Sequence, residues 1–438
     1  MKNKRVALLG NMNNNNFSIM RYLRDLGVDA HLLLFKNDGV DTNAHFIPES
    51  DTWEYEKWKP YIHRIDYGIY PITVQGEPIL VRVIYFLSRL LQNLKGKKYS
   101  HVFKPVSRRK IEMSLKGFDA FIGSGLTAAM LMRIGLKQDI FYPYGTGIEY
   151  LGSMPARLDL VQGNPIKRYL TKTLAKTQEK AIKNTKVCIN GEMSLTKQTF
   201  HEIGVNFHPI NIPMVYNKGL DFGINFIEEN VLKIKNEMES CDFVILNHSR
   251  QLWVRKEGYS EQEWEVRSKH NEWLFKSISQ FIKKRPLSNC KLFVLEYGED
   301  VEASKKLCAD LNIENYVVWL PKMARKELML LLKYCHIGVG EFYTEFGSIW
   351  GGTGWEVLAM GKPLLQGFNF EDGEFEHSFK QPKPPMLPVK KEEDILKHLI
   401  EIADNPQKGK IIGDGALNWF NLYGGIGLAE QWLKLMKL

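Results

Sequence analysis

The stretch Gly351 to Leu365, G-G-T-G-W-E-V-L-A-M-G-K-P-L-L, combines the residue types needed to grip an anion with a carboxylate held close by. Gly351, Gly352 and Gly354 let the backbone approach a ligand with no Cβ in the way, and Thr353 is placed to cap the helix that follows. Free amides at that helix start, with the positive end of its dipole, suit phosphate oxygens, so the loop predicts a diphosphate site. Glu356 then lies near enough to accept hydrogen bonds from a sugar or ribose hydroxyl. Gly361 and Pro363 end the helix after about two turns. A plain loop-helix-strand joint with a surface Glu would use the same residues.

The elements that must position this loop read as a β-α alternation. A strand Phe243 to Asn247 leads into H-S-R-Q-L-W, which puts Arg250 just past the strand end. After a charged, Trp-containing insertion, S-K-H-N-E-W-L-F opens a helix reaching Lys283. Strands follow at 291–295, 316–320 and 336–340, with helices between them. Five β-α repeats predict a Rossmann-like sheet, whose ligands sit beyond the carboxyl ends of its strands.

The first half predicts a second such sheet. Arg5 to Leu9 is a short apolar run followed by N-M-N-N-N-N-F-S, a helical pattern to Gly27 and a strand Val28 to Phe35. The loop lacks G-x-G-x-x-G, so dinucleotide binding fits poorly. Asn13 and Asn14, within Asn13 to Asn16, either hydrogen-bond a polyhydroxylated acceptor or form a polar turn. Strands are expected at 118–123, 139–144, 186–190 and 207–212. The loop P-Y-G-T-G-I-E-Y at a strand's carboxyl end makes Tyr144, Gly145, Thr146 and Glu149 candidate acceptor contacts, with a ligand-free turn as the other reading.

Length and charge bound the rest. A chain of 438 residues exceeds what one core usually serves, and the expected division is 1–215, 216–412 and a C-terminal helix, 413–438, packing across the domain boundary. No apolar run approaches the ~20 residues needed to span a bilayer, which predicts a cytoplasmic protein. Five scattered cysteines without a C-x-x-C pair fit reduced thiols, not zinc. A net charge of +9 favours anionic partners, but no nucleic-acid-binding signature is present, so nucleic acid is not expected. Residues 82–116 hold ten Lys or Arg against one acid, so 80–116 either lies against an anionic membrane as a peripheral contact or is a core-packed helix with a solvated basic loop.

From the strand at 243 to Leu365 the order of motifs resembles the donor-binding domain of family-4-type glycosyltransferases of the GT-B fold. Arg250, Lys269, Gly298 and E-V-L-A-M-G-K-P stand where that family has an Arg after the first strand, a Lys opening the next helix, a Gly-containing turn and E-A-M-A-x-G-x-P. The resemblance implies two Rossmann-like doubly wound α/β domains facing a cleft. It implies a retaining, metal-independent transfer from a nucleotide diphosphate sugar to a lipid- or glycan-linked acceptor, as in bacterial surface polysaccharide synthesis, with no cofactor. Arg250 and Lys269 would hold the diphosphate, Glu356 the ribose, and Gly298 and the amides of Gly351, Gly352, Thr353 and Gly354 would complete the donor site. Eight residues before Glu356 the family has a Glu and this chain has Ser348, for which Glu345 or Glu341 would substitute. The insertion before Lys269 is long enough that Lys256 competes with it. Tyr144-Gly145 stands where many members have His-Gly. A catalytically inactive nucleotide-sugar-binding partner and a sugar-nucleotide epimerase of the same fold are the alternative readings.

Overall fold

The computed structural model describes residues 4–36, 47–67, 108–143, 165–190, 194–219, 228–285, 289–344 and 351–437, with residues 83 and 87. The chain forms two compact units, one of Met1–Pro48, Tyr55–Pro213 and Ala429–Leu438, the other of Glu49–Glu54 and Met214–Leu428. Ser348, Glu345, Tyr144, Gly145, Thr146, Glu149 and most of the basic stretch 80–116 lie outside the described residues.

In the first unit, six parallel strands run β1 (Arg5–Leu9), β2 (Asp29–Leu34), β3 (Ile62–Arg64), β4 (Ala120–Gly123), β5 (Ile140–Phe141) and β6 (Val187–Cys188). Their spatial order is β3-β2-β1-β4-β5-β6. Helices cover both faces of such a sheet, so its strands are near-continuous apolar runs; every residue of β4 is buried. The strand expected at 207–212 is reduced to a single bridge between Ile189 and His208. Pro209 and Pro213 explain the loss, since neither can donate a ladder hydrogen bond. The final helix, Ile426–Met436, carries Trp432 into this unit, where its Nε1–H donates to Asn211 O at 3.1 Å and its ring centroid lies 5.5 Å from that of Tyr142.

The second unit repeats the plan with β7 (Phe243–Asn247), β8 (Cys290–Leu295), β9 (Val317–Leu320), β10 (Ile337–Val339), β11 (Leu364–Gly367) and β12 (Leu387–Val389). Their order is β12-β11-β10-β7-β8-β9, the same winding as the first sheet. All five residues of β7 are buried, and it pairs with β8 on one side and β10 on the other. Strand order therefore reverses between β7 and β10. At such a reversal, the carboxyl ends of the two flanking strands are where ligands of doubly wound sheets bind.

Among the described residues, no helix is long and apolar enough to cross a membrane. All five cysteines are free.

Candidate functional site at the switch point of the second sheet

Immediately after β7 the chain stays extended. Gln251 N–H donates to Tyr297 O at 2.7 Å and Gln251 bridges Gly298. Gly298 has φ +124°, and a Cβ there would sit 2.2 Å from Gln251 O. Only glycine fits this close approach, so Gly298 serves the site by clamping the post-β7 segment to the end of β8. Arg250, next to Gln251, is left exposed just beyond the carboxyl edge of the sheet.

A buried polar lattice brings in Lys269. Asn247 Oδ1 accepts from Ser249 N–H at 3.0 Å and from its hydroxyl at 2.8 Å. Asn271 then links the two segments, donating to Ser249 Oγ at 3.1 Å and accepting from Leu252 N–H at 2.9 Å. Lys269 N–H donates to Leu252 O at 2.8 Å, and the Lys269 side chain is buried with its ammonium against the Glu341 carboxylate. Burial pulls the ammonium well below its ordinary pKa and the neighbouring Arg250 charge adds to the pull. The Lys256 alternative is otherwise engaged, since its ammonium donates to Asp300 Oδ1 at 2.7 Å.

Glu341 follows β10 directly. Gln366 of β11 fixes its backbone, accepting from Glu341 N–H at 3.1 Å and donating to Glu341 O at 2.6 Å. A Cβ at Gly351 would stand 3.0 Å from Glu341 Oε2, so the glycine loop packs against the same carboxylate that meets Lys269. The helix Gly352–Ala359 starts here, with Gly351 at its N-cap. The expected Thr353 cap is not formed. Thr353 lies inside the first turn, and its buried hydroxyl has no partner. With a glycine as cap, the first amides of the helix have no side-chain acceptor.

Glu356 is buried, and both of its carboxylate oxygens are engaged. Oε1 accepts from Arg325 Nε at 2.7 Å, and Oε2 faces His248 Nε2 at 2.8 Å, which assigns the ring proton to Nε2. Arg325 in turn reaches Asp51 Oδ1 at 3.0 Å. Burial alone would raise the Glu356 carboxyl, but the Arg325 guanidinium and the His248 hydrogen bond outweigh it and hold the group at about 2. Arg250 and Glu356 therefore belong to one constellation, joined through His248 two residues before Arg250.

His248, Arg325, Asp51 and the Lys269–Glu341 pairing were not found from the sequence. Arg325 opens a helix, Arg325–Leu332, and nothing in its neighbours marks it as buried. His248 carried a usable signal, because a histidine just past a central parallel strand lies at the ligand edge. In the first unit, the Asn loop is turned inward. Asn13 and Asn14 have φ of 52° and 58°. Asn14 accepts from Asn11 Nδ2 at 2.6 Å and donates to Ile47 O at 3.4 Å. Among the described residues, no group of three or more His, Cys, Asp or Glu is placed to hold a metal ion.

No protein-family model matches the sequence, and no curated protein does. Solved structures do. HepE of Anabaena in complex with UDP is similar at 10% identity with a TM-score of 0.55, over 99% of this chain and 100% of that one. TarM of Staphylococcus aureus in complex with fondaparinux, α-GlcNAc-glycerol and UDP is similar at 11% identity and a TM-score of 0.55, over 99% and 100% of the two chains. The UDP-GlcNAc 2-epimerase of Neisseria meningitidis bound to UDP-GlcNAc is similar at 13% identity and a TM-score of 0.50, over 99% of each chain. With its two parallel six-stranded sheets, the chain has the α/β fold of the GT-B glycosyltransferases.

Proposed function

We propose that this chain is a retaining glycosyltransferase that moves a sugar from a nucleotide diphosphate donor to a lipid- or glycan-linked acceptor, in bacterial surface polysaccharide synthesis. The observation that carries the reading is the meeting of Arg250, Lys269 and the uncapped start of helix Gly352–Ala359 at the switch point of one sheet. HepE, which shares the fold, was solved with UDP and with UDP-glucose, and that supports a uridine nucleotide as the first probe.

In this reading the diphosphate bridges Arg250 and the helix amides, and Lys269 reaches it by sharing its ammonium with Glu341. As the glycosyl C–O bond breaks, its electron pair passes to the diphosphate oxygen, where two cations and neutral N–H donors stabilise the growing charge. The acceptor hydroxyl attacks the anomeric carbon, and its proton passes to the departing phosphate. No metal or other cofactor is required by this scheme, and the acceptor reaches the enzyme at the inner face of the membrane. Glu356, already held by Arg325 and His248, has lone pairs left for a ribose hydroxyl.

Calorimetry with UDP, then incubation with UDP-sugars, tests the reading. Binding with slow donor hydrolysis or transfer supports it, and failure of every nucleotide diphosphate to bind overturns it. The epimerase reading is favoured by the Neisseria enzyme sharing this fold, and it predicts isomerised nucleotide sugar with no acceptor present. An inactive partner would bind nucleotide and turn nothing over.

A further inference from the structure

On the second unit, at the amino-terminal edge of its sheet, a cavity of about 770 Å³ has Lys218, Lys333, His336, Lys362, Lys410 and Asp414 among its lining residues. This volume falls in the range of small-molecule sites, roughly 300 to 1,000 Å³. The cavity is separate from the switch-point site. The helix Gly352–Ala359 runs between them, its N-cap Gly351 packed against Glu341 and its last residue, Ala359, lining the cavity. Eight residues at about 1.5 Å each make that separation about 12 Å.

Two observations say what the cavity would hold. First, the donors are fixed. Lys362 Nζ donates to Lys333 O at 2.6 Å, at the carboxyl end of helix Arg325–Leu332, which ties down one of its three N–H donors. His336 Nδ1 accepts from Val244 N–H at 3.0 Å, so its ring proton is on Nε2, and this exposed ring offers a further donor. Second, four lysines line the cavity against one lining carboxylate, Asp414, with the Glu54 carboxylate packed at the lining residue Gly219, and this excess of cations favours an anion with several oxygens over a cation. Gly361, with φ +65°, and Gly413, where a Cβ would meet Gly361 O at 2.2 Å, lock two backbones together beneath it, so the floor is preformed.

We infer that this cavity is a binding site for a small soluble phosphorylated molecule, distinct from the donor site and independent of the proposed transfer reaction. The test is lysine acetylation of the full chain, read by mass spectrometry, with inorganic pyrophosphate against sodium chloride at equal ionic strength. Pyrophosphate should slow acetylation of Lys362 and Lys410 roughly threefold, as when two thirds of the sites are filled. The exposed Lys233, which does not line the cavity, should not change. Protection should persist in R250A, which removes a donor-site cation, and be lost at Lys362 in the rim variant K218E/K410E. Equal rates in pyrophosphate and chloride overturn the inference. So does protection that survives the rim variant but vanishes in R250A, or protection by phosphatidylglycerol vesicles with none by pyrophosphate.

Discussion

Arg325→Met is the most incisive perturbation of the site, because it removes a buried cation that the Glu356 carboxylate depends on. The guanidinium is almost inaccessible and lies between Glu356 and Asp51, at 2.7 and 3.0 Å. Removing one partner of a buried ion pair costs about 3 to 5 kcal/mol, since the remaining charge is left without compensation. The titration of Glu356 gives a similar figure by another route. A carboxyl lowered from 4.5 to about 2 by its surroundings contributes about 3 kcal/mol at neutral pH. That contribution is complete above pH 4.5 and is lost as pH falls through about 2, because the folded state binds the proton less readily than the unfolded chain.

The assay is hydrogen exchange of the amides in helix Gly352–Ala359, which reports opening of this segment by itself. At neutral pH, R325M should speed their exchange by roughly a hundredfold, the factor equivalent to about 3 kcal/mol. In E356Q, Arg325 keeps Asp51 and exchange should rise less. As pH drops from 4.5 toward 2, wild-type and E356Q should converge, because a protonated Glu356 resembles the amide. A change below roughly tenfold in R325M, or a gap between wild-type and E356Q that stays constant with pH, would refute the claim that Arg325 is what keeps Glu356 ionised.

Three further outcomes are expected. Arg250→Ala removes one or two charge-assisted contacts worth about 1.5 to 3 kcal/mol each, so turnover should fall tenfold or more while the melting temperature is unchanged; normal transfer by this variant would show that the donor lies elsewhere. Gly298→Ala places a Cβ against the Gln251 backbone, and should lower stability by about 2 kcal/mol or more in urea unfolding, weakening UDP binding as Arg250 shifts. Thr353→Val exchanges a buried hydroxyl that lacks a partner for a methyl of similar size, so stability should hold or rise by up to about 1 kcal/mol; weaker UDP binding in the same variant, measured by calorimetry, would give that hydroxyl a donor contact.

The sheets were legible because their signal is local. A parallel strand buried on both faces must be a short apolar run, and Arg5–Leu9 and Phe243–Asn247 occur in the sequence with the bounds they have in the fold. Where the run is mixed, legibility fell. The segment 207–212 reads as a strand by its apolar residues, yet two prolines leave it one bridge. At the C-terminus, one amphipathic stretch was expected from Asp414 onward, whereas the chain forms helices Pro406–Tyr423 and Ile426–Met436 around Gly424 and Gly425, a pair of poor helix formers.

The site divides along the same physical line. Arg250, Gly351 and Gly352 could be placed because strand ends and glycine loops fix where a backbone turns toward a ligand. Partner choice among buried charges is not local. Lys269 meets Glu341 across 72 residues, Glu356 meets His248 across 108, and Arg325 meets Asp51 across 274, so no spacing rule reports them. Burial makes these pairings obligatory: an ammonium or carboxylate under a tenth exposed must find an opposite charge or lose its own. A sequence reading that buries Lys269 and Glu356 should therefore demand a counter-ion for each. Applied here, that demand asks for an acid near Lys269 and a base near Glu356, and the strand-end rule narrows the search to residues following β7 and β10. Glu341 and His248 satisfy both conditions, while Arg325, at the head of a helix after β9, satisfies only the first and stays hidden until the chain is folded.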